Sequence, residues 1–188
     1  MVAPAGAATR RTLLKASVAG LGGIATAGLA GGCGGAGPVK AIRQGRAADA
    51  DLLNGVLAIE QRAIAAYTAA APLLGGFGQK MAGQFLSQEL LHAGILRKLV
   101  HDAGGRPHNP LGHYDFGHPR GRRHLLALLH DLEREQIAAY LHAIPRMSTP
   151  FLRQTLASVL ANDAQHVTVL RAQQGITALP GPLLTASE

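Results

Sequence analysis

Two stretches of the chain are written twice, and this repeat constrains the fold more than any local propensity does. Glu60-Gln-Arg-Ala-Ile-Ala-Ala-Tyr67 returns 73 residues later as Glu133-Arg-Glu-Gln-Ile-Ala-Ala-Tyr140. Glu89-Leu-Leu-His92 returns 74 residues later as Asp163-Ala-Gln-His166, and both copies run on to a Leu-Arg pair, Leu96-Arg97 and Leu170-Arg171. Residues three apart on a helix lie on one face. Glu89 and His92 can therefore reach one point in space, as can Asp163 and His166. Two such pairs and two further carboxylates, carried by four helices, make the ligand set of a two-metal site in the core of a helical bundle.

The punctuation fits four helices in two hairpins. Asp49 or Asp51 is a candidate cap for the first, whose apolar stripe runs through Leu52, Val56, Ile59 and Ile64 until Pro72 and Gly75-Gly76 stop it. The second is expected from Gly78 or Gln79 to Ala103, the third from Arg123 to Ile144. Ser148-Thr149-Pro150 opens the fourth, which ends at Gln174 before Gly175. At ~1.5 Å rise per residue, Glu60, Glu89, Glu133 and Asp163 all fall at one depth, far from the turns. The link from helix two to helix three, rich in Pro and Gly, is much longer than the ~2–8 residues that join neighbours in an up-down bundle. A crossover along the bundle needs such a link, although the depths alone also admit the up-down order.

The first 33 residues read as a leader. Arg10-Arg11 precede a Gly- and Ala-rich apolar run, as in a twin-arginine export signal, and Leu29-Ala-Gly-Gly-Cys33 looks like a lipobox. Cys33, the only cysteine, is the expected lipidation site. Residues 34–48 read as a flexible tether, 49–175 as the bundle and 176–188 as an irregular tail. The expected location is the cell envelope, on the outer face of the cytoplasmic membrane, with the membrane met only through the lipid. The net charge of +7 shrinks when the leader is set aside. Removing Arg10, Arg11 and Lys15 from the 18 basic residues leaves 15 against 11 acidic ones. That scattered surplus has no interleaved aromatics and argues against nucleic-acid binding.

On these residues the chain resembles the ferritin-like superfamily, in particular exported bacterial ferritin-like domain proteins with twin-arginine leaders. The resemblance covers about Asp49 to Gly175. It implies an all-α, ferritin-like four-helix bundle of two hairpins joined by a long crossover. It implies two iron ions, with manganese as the alternative metal. Glu60 and Glu133 would be terminal ligands, Glu89 and Asp163 bridging ones, and His92 and His166 would each take one ion. Asp163 stands where Glu is usual, and its shorter arm alters how it would bridge. The implied chemistry is oxidation of Fe(II) by oxygen or peroxide, which makes the chain a candidate ferroxidase.

Each feature has a plainer reading. The six residues could hydrogen-bond inward without metal, as a structural or interaction module of the envelope. Four buried carboxylates without a cation would be costly, however. Tyr67 and Tyr140, two turns beyond their glutamates, are candidates for a catalytic or ligand-orienting role, or are core tyrosines. His108, His113 and His118 in the crossover suggest a second metal site or simply a loop packed on the bundle. The tail after Gly175 has no fifth-helix pattern, which argues against a storage cage. A homodimer remains open.

Overall fold

A computed structural model describes residues 38–183, with side chains from Arg43. The leader, the twin arginines, Cys33 and the last five residues lie outside the described residues. Four helices and one short 3-10 turn account for nearly all the regular structure: α1 (Pro38–Leu74), α2 (Gly76–Asp102), α3 (Gly121–Ala143), the 3-10 turn Ile144–Arg146 and α4 (Pro150–Gln173). The expected all-α bundle of two hairpins is present. A single residue, Gly75, separates α1 from α2. Gly75 and Gly76 have φ of 63° and 48°, a region that side chains resist, so two glycines in succession make this reversal possible.

Helix α1 starts at Pro38 rather than near Asp49, so most of the expected tether is helical. The extra turns are held by tertiary contacts that no local pattern announces. Arg46 donates to the carbonyl of Asp102 at the C-terminal end of α2, where the helix dipole favours a cation. Asp49 is therefore no cap. It is buried inside α1 and accepts from the Ser148 backbone N–H at 2.8 Å and from the Ser148 hydroxyl. It thereby ties α1 to the turn before α4. Pro72 also sits inside α1, whose end comes two residues later at Leu74. The expected cap of α4 is present: the Thr149 hydroxyl accepts from Leu152 N–H at 3.2 Å.

Two hydrogen bonds settle the connectivity. Tyr67 OH donates to Glu133, and Tyr140 OH donates to Glu60. The order 60, 67 on α1 is thus matched by 140, 133 on α3, so these helices are antiparallel. Helix α2, folded back from α1, must then run parallel to α3, and residues 103–120 travel the length of the bundle. The crossover is anchored on hairpin one: Asn54 Nδ2 donates to Arg106 O at 3.0 Å, and Gln61 Nε2 to His108 O at 2.9 Å. Gly105 lies so close to α1 that a Cβ there would stand 2.6 Å from that of Ala50.

The core is apolar at both ends and polar in the middle. One cluster holds Leu53, Leu57, Leu96, Val100, Tyr140 and Leu156. The other holds Ala66, Tyr67, Phe85, Leu126, Leu129 and Leu170. Between them lies a layer of buried acids, histidines and one amide. Of the neighbouring helix pairs, α2 and α4 pack least tightly, and this seam runs beside that layer.

Candidate metal centre

Burial dictates the chemistry of the middle layer. Glu60, Glu89, Glu133 and Asp163 are each fully buried, one from each helix. The carboxylates and histidines of the repeat form two groups, in each of which the donor atoms lie within 4.8 Å of one another. Glu89, Glu133, Asp163 and His166 make one, Glu60, His92 and Asp163 the other. All six residues singled out in the sequence are brought together, and Asp163 belongs to both groups. Glu135, two residues beyond Glu133 on α3, instead pairs with Arg62 on the surface.

The donor atoms suit a cation. Glu89 Oε1, Glu133 Oε2, both oxygens of Asp163 and His92 Nδ1 are buried and have no hydrogen-bond partner. Buried polar atoms are rarely left so, and an ion is one standard reason. His166 Nδ1 faces Glu133 Oε1 at 3.1 Å and Glu89 Oε1 at 3.2 Å. Its other nitrogen, Nε2, is 2.6 Å from Gln88 Oε1. Gln88 Oε1 can only accept, so Nε2 keeps its proton, and Nδ1 is the nitrogen that could give up its proton to the cluster and present a lone pair to a metal. Carboxylate oxygen with imidazole nitrogen is the donor set of iron or manganese rather than of soft metals.

Without a cation the cluster balances its charge with protons. Burial pushes the Asp163 carboxyl up to about 9, aided by the negative charges of Glu133 and Glu89. Glu60 and Glu133 are raised as well, burial again being the main cause. Burial would also raise Glu89, but the two imidazoles and Glu60 outweigh it and hold Glu89 low. Burial would lower His166, yet its contacts with Glu133 and Glu89 push it up to about 10. Protons on these groups occupy the place of positive charge that a metal would fill.

The tyrosines cap the layer from both sides, each bound to the glutamate of the other repeat. Burial raises both hydroxyls well above the ordinary tyrosine range, with the adjacent glutamates adding to it. They remain protonated donors. Three residues at the layer carried no functional reading in the sequence: Gln88, Phe85 and Gln136. Phe85 stacks on the His166 ring, with centroids 3.9 Å apart. Gln136 Nε2 donates to Glu60 Oε2 at 3.0 Å and to Glu89 Oε2 at 2.5 Å. Gln136 follows Glu133 at the spacing that joins Glu89 to His92, which is the signal that could have found it.

The crossover histidines form no such cluster: among the described residues, the two core groups are the groupings of three or more potential ligands. Phe116 packs against the bundle instead, and Tyr114 stacks beside it.

This geometry agrees with comparison to known proteins. Residues 48–175 match the ferritin-like domain family. The chain belongs to that family. A ferritin-like, diiron-carboxylate protein from Bacillus anthracis has the same fold, with a TM-score of 0.62 at 22% identity over 69% of this chain and 97% of that one. A conserved hypothetical protein from Mycobacterium tuberculosis gives a TM-score of 0.65 at 16% identity, covering 68% of this chain and 97% of that one. At such identities both speak for the ferritin-like fold alone. No curated protein matches the chain in sequence.

Proposed function

We propose that this ferritin-like domain binds two iron ions and oxidises Fe(II) with oxygen or peroxide. The observation that carries the reading is the pair of buried donor groups sharing Asp163, in which Glu89 Oε1, Glu133 Oε2 and both Asp163 oxygens have no hydrogen-bond partner. Six ligands, four of them carboxylates, match the charge of two divalent cations. A diiron-carboxylate relative with the same fold supports the choice of iron. When bound, two Fe(II) ions would supply two electrons, enough to take one peroxide to two waters or one dioxygen to peroxide.

The chain's own residues would bind, orient and exclude. Gln88 holds the His166 tautomer. The Tyr67 hydroxyl fixes Glu133 Oε1 and leaves Oε2 without a partner, while Tyr140 and Gln136 together hold both oxygens of Glu60. The apolar clusters on either side keep bulk water from the layer, which strengthens every charge interaction within it. Either tyrosine could also give an electron to the reacting centre, its hydroxyl proton passing to the glutamate it already meets, the role we assign them as catalytic residues.

The setting we propose is the cell envelope. The twin-arginine sequence and Cys33 support export and lipid anchoring, and no helix among the described residues is long and apolar enough to cross a membrane. Mass spectrometry of the cell-derived protein would test this by detecting a lipid on Cys33 as the new N-terminus.

The metal-free module is the competing reading, and the bonds from Gln136 and the tyrosines favour it in part. One experiment separates the two. Fe(II) is added without oxygen to the chain beginning after Cys33, bound iron is counted, and air is admitted while the near-ultraviolet absorption of oxo-bridged Fe(III) is recorded. Two irons per chain and an oxygen-dependent band support the oxidase reading. Refusal of iron and of manganese would leave the bundle as an interaction module.

A further inference from the structure

Glu89 and Asp163 hold equivalent places in the two repeats, and symmetry would give them equal parts in a metal centre. Their oxygens are not treated alike. Glu89 Oε2 accepts from the Gln136 amide at 2.5 Å. Asp163 has no such amide: neither of its oxygens has a hydrogen-bond partner, and the nitrogen beside Oδ1 is His92 Nδ1 at 3.4 Å. The position on α1 equivalent to Gln136 is Ala63, which has no hydrogen to give. Asp163 also belongs to both donor groups, whereas Glu89 is grouped with His166, its Oε1 standing 3.2 Å from His166 Nδ1 and 3.8 Å from His92 Nδ1.

We infer that Gln136 is a positioning residue that makes the centre lopsided, holding Glu89 as a terminal ligand of the His166-side ion and leaving Asp163 as the bridge. This rests on the two-metal reading above. The torsion that turns a glutamate carboxylate is soft, so a charge-assisted hydrogen bond can choose its orientation. Gln136 is itself fully buried on α3, and the two hydrogens of its Nε2 serve Glu89 and Glu60 together. A single amide thereby clamps one carboxylate from each half of the site. Glu89 Oε1 stays free for a metal, while Oε2 is turned to the amide.

The test uses Mn(II) as probe, without oxygen, on the chain beginning after Cys33. Bound manganese is counted, and the exchange splitting of the manganese pair is read by electron paramagnetic resonance. Wild type should bind two ions coupled through a single carboxylate. Gln136→Leu should still bind two, with a larger splitting, because Glu89 is released to bridge as well. A purely structural role for Gln136 would change stability and leave the splitting where it was. Glu89→Gln provides a second variant should Gln136→Leu not fold. It should keep the coupling, which Asp163 carries, while holding the His166-side ion less tightly. Two ions with an unchanged splitting in Gln136→Leu, or two ions with the splitting lost in Glu89→Gln, would overturn the inference and leave the two-metal reading intact. Refusal of manganese by wild type would strike that reading itself, and the inference with it.

Discussion

The two halves of the polar layer share a ligand pattern and differ in nearly everything around it. His166 is 1% exposed, stacked on Phe85 and hydrogen-bonded to Gln88. His92 is 7% exposed and its Nδ1 has no hydrogen-bond partner; each histidine lines a cleft of its own, His92 with Phe151 and Ser158, His166 with Phe77 and Gln165. The sequence differences are small. Seventy-four residues on, Phe85 becomes Val159, Gln88 becomes Asn162 and Glu89 becomes Asp163, so each equivalent side chain is shorter in the second copy. On α2, Gln88 reaches His166 by a hydrogen bond and Phe85 by stacking, whereas on α4 Asn162 Oδ1 has no partner and Val159 has no ring to stack on His92. The repeat supplies the same ligand types to both halves, and the side chains around them give His166 two contacts that His92 lacks.

The harshest way to break the comparison is to remove what the halves share. Asp163→Ala should lose tight binding of both ions, whereas His92→Ala should lose only the ion of the His92 half. Bound manganese per chain after dialysis reads this directly. If Asp163→Ala kept one ion firmly, the halves would be independent.

Acidity separates the metal-free from the loaded protein. Asp163 is raised from 3.8 to about 9 and His166 from 6.5 to about 10, so the folded chain holds more protons than the unfolded one between those values. Their contribution to stability is complete below the unfolded values and is lost as pH rises. From pH 6.5 to 9 both act in the same direction. Tm of the metal-free protein should fall over that interval. Metal replaces those protons, so the stabilisation by added Mn(II) should grow over the same interval. Differential scanning calorimetry with chelator and with Mn(II) checks both signs.

Support around the histidines gives a gentler contrast. Gln88→Ala should weaken the His166-side ion by about 10- to 100-fold, the usual cost of removing the partner that orients a metal-bound histidine. Asn162→Ala should do much less at His92. Equal losses in a calorimetric Mn(II) titration would remove the asymmetry from the account.

The smallest effects belong to the caps. Tyr67→Phe and Tyr140→Phe each remove a buried hydrogen bond to a carboxylate, about 1.5–3 kcal/mol of stability in urea unfolding of the metal-free chain. The Tyr67 variant carries an added consequence, because Glu133 Oε1 also meets His166. Of the two, it should change Mn(II) affinity more.

Much of this was legible before any coordinates. A repeated carboxylate-x-x-His on helices encodes both the bundle and the depth of its polar layer, since spacing along a helix is geometry. What the repeat could not reveal is whatever occurs once. Gln136 aligns with Ala63 in the other copy, so the only mark on it was its place three residues after Glu133. The early start of α1 depends on Arg46 meeting the end of α2 and on Asp49 meeting Ser148, contacts 56 and 99 residues apart in the chain. Local signals there pointed to a cap and a tether, because an aspartate before an apolar stripe looks the same whether it caps its own helix or the turn of another. The crossover order was likewise open until the two Tyr–Glu bonds oriented α3.

The most direct test is an anaerobic Fe(II) titration, followed by calorimetry, of wild type and Asp163→Ala side by side. A centre built on one shared carboxylate predicts two ions per wild-type chain in two steps of unequal affinity, and tight binding of neither in the variant. No heat and no bound iron in wild type, or two ions retained by Asp163→Ala, would contradict it.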